Sequence, residues 1–253
     1  MSKRKILVIR LSSIGDIIWT TPVVRCLKKQ LDDIELHYCT KIQYRSLVES
    51  NPYIDKLFYL EDDLGSLIGQ LKNEKYDFVV DLHKNIRSFM IKFKLGVKSA
   101  SYNKLWIQRF FFTKFQINFM PNCHVVDRYM DTVKVLGVQN DDQGLDYVIP
   151  SHEEIDVNNL PEDFRKGYIA FVIGGSGYTK ILPFEKMVEL CDKINRPVIL
   201  IGSKEDYEAG EKLADFFNKS KVNPTFEEGL HKLDKLTIIY NACGKYSIGQ
   251  SAS

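Results

Sequence analysis

Short apolar runs alternate with helix-period segments through the first half of the chain, the pattern of a parallel sheet wrapped by helices. Runs at residues 5–10, 34–40, 55–60, 76–81 and 97–102 predict strands. Segments at 15–31, 41–50, 63–74 and 85–95 predict the helices between them. One more helix is predicted over residues 124–136, with Gly137 placed to end it.

Residues 139–167 are polar, acidic and punctuated by Pro and Gly, apart from a short strand predicted at 145–149. The strand–helix pattern then restarts. Residues 168–173 predict a strand, GGSGYTKIL a loop, and 183–194 a helix with Pro in its first turn. A strand at 197–201 and a helix at about 205–218 follow. The expected fold class is α/β, with two Rossmann-like, doubly wound parallel-sheet domains facing a cleft. Their expected bounds are 1–150 and 167–253, joined by a linker at 151–166. The second domain reads as incomplete. Ser247-Ile248-Gly249-Gln250 has the spacing of a capping box, so a helix is announced there, yet the sequence stops at Ser253. A sheet of about three strands would also keep an unpaired edge. A chain cut short in its second domain is the expectation.

Composition narrows the class. At 253 residues there is room for one large core or two small ones, and 44% hydrophobic with 27% charged residues excludes a disordered or collagen-like chain. Five cysteines stand singly with no C-x-x-C pair, which fits a reducing cytosol better than a disulfide scaffold or a zinc site. The first apolar run is broken by Arg10 and reads as a strand rather than a signal peptide. No run approaches the length of a membrane span. A cytoplasmic location is expected. No metal-ligand cluster is visible, so neither a protein-bound metal nor a cofactor is expected.

The net charge of +2 hides an asymmetry: residues 82–126 contain no Asp or Glu but eight Lys and Arg. Their second half, LWIQRFFFTKFQINFM, is rich in aromatics. The aromatics read as core with the lysines as a solvated face, or the region reads as a surface for phosphates or an anionic membrane.

The candidate chemistry lies where predicted strands end. In KILVIRLSSIGDIIWTTP, a Ser/Gly turn places Ser13, Asp16 and free backbone N–H groups at the carboxyl end of the first strand, where ligands bind in open α/β sheets. Ser13 and Asp16 also have the spacing of a helix cap. The two readings are compatible, although a helix start favours the carboxylate and so weakens Asp16 as a base. GGSGYTK, residues 174–180, offers small residues, Thr179 and Lys180 for phosphate oxygens, or is a plain flexible loop between strand and helix; it departs from a P-loop in having Thr179 before the lysine and Ile181 after it. Glu205 and Asp206 follow the next strand, where acids reach a ribose hydroxyl or simply complement a helix dipole.

RLSSIGDIIWTTP, DLHKNIRS, HVVDRYMDTVKVLGV, GGSGYTKILPFEKMVEL and NACGKYSIGQ, in this order, resemble the motifs of the heptosyltransferases of glycosyltransferase family 9. The resemblance implies a GT-B arrangement and inverting transfer of heptose from ADP-heptose to a lipopolysaccharide inner-core acceptor. It implies Asp16 as catalytic base and Lys180 as the donor-phosphate lysine. It further implies Ser176, Thr179, Asp206 and Tyr246 on the donor, with Glu205 as the neighbour if the alignment shifts by one. Ser13, Lys84 and Arg87 fall to the anionic glycolipid acceptor, and peripheral contact with the cytoplasmic face of the inner membrane follows. Two departures stand out: Leu182 replaces the usual tryptophan before Pro183, and the D-T-G-x-x-H motif that follows GKxS in relatives is absent. The second motivates an alternative, a catalytically silent GT-B-like scaffold that binds an anionic glycolipid or nucleotide. Nucleic-acid binding by the basic aromatic region is a third reading; the near-neutral total charge and the lack of a recognised module argue against it.

Overall fold

The computed structural model describes residues 3–150, 153–175, 177–220 and 238–245. The chain divides into two compact units, Met1–Val148 and Ile149–Ser253.

In the first unit, strand β1 (Arg4–Ile9) leads through a turn into α1 (Ile14–Ile18) and α2 (Thr21–Gln30), followed by β2 (Ile34–Lys41). After a 3-10 segment at Ile42–Leu47 come β3 (Lys56–Leu60), α3 (Leu64–Asn73), β4 (Phe78–Asp81), α4 (Ile86–Leu95) and β5 (Ser99–Ser101). Helices α5 (Trp106–Phe115) and α6 (Val125–Val133) complete it, and a 3-10 turn at Lys134–Leu136 ends on Gly137 at φ 81. The sheet order is β3-β2-β1-β4-β5, with every pairing parallel. Period-2 side chains split the core into two layers. Ile6, Val8, Leu36, Tyr38 and Val80 pack with α1, α2 and α6, while Leu7, Ile9, Cys39 and Val79 pack with α3 and α4. This is the doubly wound arrangement that the alternation predicts.

Three local expectations are corrected. The helix expected over 15–31 is two helices, because Pro22 has no N–H for the carbonyl of Ile18. The Thr21 hydroxyl donates to that carbonyl instead (2.8 Å), and the Thr20 hydroxyl to that of Ile17 (2.6 Å). Residues 145–149 form no strand; side chains of α2 hold this segment. Buried Arg25 donates to both carboxylate oxygens of Asp141 (2.8 and 2.7 Å), to the Gly144 carbonyl and to Asp146, and the Asp146 N–H donates to the Thr21 hydroxyl. The aromatics of residues 106–119 are not core: α5 buries none of its residues.

The second unit starts with 3-10 turns at Val157–Asn159 and Glu162–Phe164, whose Leu160 and Phe164 pack with Ile199 and Ala242. Strand β6 (Ile169–Val172), α7 (Phe184–Ile194), β7 (Val198–Ile201), α8 (Tyr207–Ser220) and β8 (Ile239–Asn241) follow, and the parallel sheet has the order β6-β7-β8. Met187 and Cys191 of α7 and Leu213, Ala214 and Phe217 of α8 cover Val198, Leu200 and Ile239. Gly210 lets α8 close on β8, since a Cβ there would stand 2.4 Å from the Asn241 side chain. The capping-box residues Ser247 to Gln250 lie outside the described residues.

Arg25 is 1% exposed, and its hydrogen bonds, with its charge behind them, hold Asp141 well below the ordinary carboxylate range. Replacing it with Met strands two carboxylates at the edge of the core. The expected loss of stability is about 3–5 kcal/mol, read as a lower midpoint in urea unfolding of the whole chain.

Candidate active site

At the carboxyl end of β1, Arg10 is a buried guanidinium whose donors reach four separate groups. Its Nε donates to the Ser12 carbonyl (2.6 Å), and one terminal nitrogen donates to the Leu82 carbonyl (2.5 Å) and the Tyr129 hydroxyl (2.8 Å). The other terminal nitrogen pairs with Asp16 Oδ2 at 2.7 Å. Tyr129 is fixed in turn by an edge-on contact with Tyr102, ring centroids 4.9 Å apart.

Asp16 also accepts hydrogen bonds from the Ser13 hydroxyl (2.9 Å) and the Ser13 N–H (3.3 Å). The expected contact between these two residues is therefore present, in the form of a helix cap. All three contacts fall on Oδ2. Oδ1 has no partner among the described residues, and the side chain keeps 30% of its surface open. Burial raises the Asp16 pKa, but the Arg10 charge and the Ser13 hydrogen bonds outweigh it, so the group stays below its ordinary value.

The turn after β4 lies beside this pair. Buried Asp81 accepts from the N–H groups of His83 (3.0 Å) and Lys84 (2.7 Å), from Ser88 Oγ (3.0 Å), and pairs with Lys92 at 2.9 Å. That set of bonds holds Lys84 at φ 48 and starts α4 at Asn85. The buried Nδ1 of His83 has no hydrogen-bond partner among the described residues. Burial, with Arg10 and Lys104 nearby, lowers its pKa to about 4 against the opposing pull of Asp81 and Asp16, so the imidazole is neutral at neutral pH. Lys84 and Arg87 are exposed.

In the second unit, Thr179 and Lys180 are exposed on the 3-10 turn Tyr178–Lys180, which the Lys180 N–H closes by donating to the Gly177 carbonyl (2.8 Å). Asp206 accepts from the Ser203 N–H and hydroxyl, both at 2.7 Å, and so caps the 3-10 turn Lys204–Asp206 that leads into α8; Glu205 is exposed. The Asp206 carboxylate also lies over Gly174, where a Cβ would come within 2.1 Å of it. The loops after β6 and β7 thus pack together, with Asp206 as their contact. Ser176 and Tyr246 lie outside the described residues.

One potential metal trio, missed in the sequence because its members lie far apart, is Glu35, His37 and Glu74. It sits at the opposite, amino end of the strands. The Lys5 ammonium is 2.7 Å from Glu74 and 3.6 Å from Glu35, and His37 pairs with Glu35 at 2.7 Å. A lysine, rather than a metal, already supplies the positive charge there.

Sequence reasoning also missed Arg10, His83 and Tyr129 as parts of the site. The available signal was local: Arg10 interrupts an apolar strand at its carboxyl end, and His83 stands at the same place after β4.

Two units of this kind define a GT-B-like architecture with the chemistry at strand carboxyl ends. The model of glycosyltransferase family 9 (heptosyltransferase) matches residues 64–243. The chain belongs to that family, and it is a glycosyltransferase. It is 26% identical over 250 residues to lipopolysaccharide heptosyltransferase 1 of Campylobacter coli, covering 87% of this chain and 70% of that protein. A family 9 glycosyl transferase from Veillonella parvula superposes with a TM-score of 0.69 at 20% identity, covering 99% of this chain and 72% of that one. The ADP-heptose lipopolysaccharide heptosyltransferase II of E. coli gives a TM-score of 0.65 at 18% identity, covering 98% and 75%.

Arg10→Met is expected to raise the Asp16 pKa toward the ordinary carboxylate value, and Arg10→Lys to restore part of the depression; carbon-detected NMR titration of the Asp16 carboxyl reads both. Because the folded pKa is depressed, the pair contributes stability above the unfolded carboxylate range and loses it as pH falls through the folded pKa. The stability gap between wild type and Arg10→Met should therefore narrow on acidification below about pH 4.

Proposed function

We propose that the chain carries out inverting transfer of heptose from ADP-heptose to an anionic glycolipid acceptor of the lipopolysaccharide inner core, in the cytoplasm at the inner membrane face. The observation that carries this reading is the asymmetry of Asp16: Oδ2 is held by Arg10 and Ser13 while Oδ1 has no partner among the described residues. A carboxylate so fixed offers one oxygen to an acceptor hydroxyl. Asp16 Oδ1 takes the hydroxyl proton as that oxygen attacks the anomeric carbon, and the bond to the ADP phosphate breaks on the opposite side. The low pKa keeps the base ionised but makes it a weak one; acceptor binding, by excluding water, raises its basicity.

In this reading the donor diphosphate lies against the loop of residues 174–180. Lys180, with Thr179 and the N–H groups around Ser176, balances the charge that grows on the departing ADP. Asp206 and Tyr246 meet the nucleoside. Ser13, Lys84 and Arg87 hold the acceptor, whose phosphates suit the acid-free stretch. Support for the sugar comes from the relatives: one solved neighbour is the E. coli heptosyltransferase WaaC with ADP-2-deoxy-2-fluoro heptose.

The test is a transfer assay with ADP-heptose and a deacylated inner-core acceptor, alongside calorimetry of ADP binding. Asp16→Asn should lower kcat by roughly 10²–10⁴-fold with ADP affinity unchanged. Lys180→Ala should cost about 10²–10³-fold and weaken ADP. Near-normal turnover by Asp16→Asn sinks the assignment.

A further inference from the structure

Helix α5 exposes what helices usually hide. Six of its ten residues are aromatic or aliphatic, yet none is buried. Trp106, Phe110, Phe112 and Phe115 keep 49–67% of their surface open. The rings touch each other rather than the sheet's core, with Phe111 and Phe115 centroids 5.7 Å apart. Helix α4 adds a second apolar stripe. Ile86, Phe89, Met90 and Phe93, at helical spacing, are exposed, whereas Ser88 and Ile91 face inward; Phe89 and Phe93 stack at 6.2 Å. Exposed apolar surface of this extent marks an interaction site.

Charge selects the occupant. Of the cations in the acid-free stretch, Lys92 is committed to Asp81. Arg87, Lys94, Arg109 and Lys114 are exposed and form no ion pair among the described residues. A second copy docked about a two-fold axis would set these cations against one another with no acid on the patch to offset them. Nucleic acid would engage the rings and the cations but leave Ile86, Met90 and Ile107 without a partner. An anionic bilayer satisfies both, with headgroups for Lys and Arg and the acyl boundary for the apolar side chains. No described helix is long and apolar enough to cross a membrane.

We propose that α4 and α5 form a docking surface for an anionic phospholipid bilayer, with α5 lying at the boundary between headgroups and acyl chains. This gives the membrane contact of the preceding reading a definite surface, and it needs neither the donor nor the acceptor assignment. The start of α5 is also tied to the turn beside Asp16, where Lys104 Nζ reaches the Lys84 carbonyl at 3.5 Å, and to α6, from which Arg128 donates to the Asn103 carbonyl at 3.1 Å. Docking through α5 would hold that turn close to the lipid surface.

The test is flotation of the whole chain with vesicles of phosphatidylcholine, with and without phosphatidylglycerol, together with tryptophan emission. The chain has two tryptophans, Trp19 and Trp106, so a blue shift that disappears in Trp106→Phe reports α5. Flotation with the anionic vesicles, weakening as salt rises, is expected. Phe110→Ser/Phe112→Ser and Arg109→Glu/Lys114→Glu should each cut it at least about tenfold, with circular dichroism unchanged; all four side chains are exposed, so folding is not at stake. Several results would overturn the proposal: no flotation, equal partition onto neutral vesicles, or indifference to both double variants. Dimerisation in light scattering or single-stranded DNA binding, either one without vesicle binding, would overturn it as well. Flotation does not require turnover, so an inactive chain that floats counts against the enzymatic reading alone.

Discussion

The first unit depends on one guanidinium. Arg10 follows β1 at the point where a parallel sheet exposes its carboxyl ends, and it is the common partner of the turn after β1, the β4 turn, α6 and Asp16. A buried cation is tolerable only when its donors are matched and a counter-charge is close. Both conditions are met here, by two carbonyls, a phenol and a carboxylate. The same contacts that make burial tolerable also orient Asp16 and occupy one of its oxygens. Stability and geometry at this point are a single arrangement.

A repeated local device sits at the strand ends. Ser13 with Asp16 after β1, Asn85 with Ser88 after β4, and Ser203 with Asp206 after β7 each close a helix start across three residues. Each uses a short polar side chain to satisfy N–H groups that the first helical turn leaves over. In the first and third cases the capping group is a carboxylate that remains partly open to solvent. A cap and a ligand-facing acid are therefore compatible in one side chain, because the capping bonds fall on a single carboxylate oxygen, Oδ2, in both. The amino ends of the first sheet are organised differently. Lys5 and Lys56 pair with Glu74 there, Lys5 also lies beside Glu35, and His37 shares a hydrogen bond with Glu35, which leaves little for a ligand to take up.

Much of the architecture was readable because buried parallel strands are nearly continuous apolar runs bounded by turns. Ile6–Ile9 and Val79–Val80 could hardly be read otherwise. The break before α2 was also present in the sequence, in Pro22, but a single proline in the first turn of a helix is equally a normal start. The segment at 145–149 misled because its alternation suits a strand, whereas Arg25, more than a hundred residues earlier, decides its path. The aromatics of α5 were open to two readings, as core or as a surface, because composition alone does not say which rings are covered; the fold decides for exposure, with none of the helix buried. Within the site, Ser13 and Asp16 were legible from local spacing. Arg10, His83 and Tyr129 were not, because their association depends on which strands are neighbours.

The close approach of Asp206 to Gly174 has an evolutionary corollary. The two positions belong to different loops, yet they share one small volume, which a methyl group and a carboxylate cannot both occupy. Among homologues the pair should drift in concert, a side chain at 174 arising only in lineages where 206 has first given up its acid.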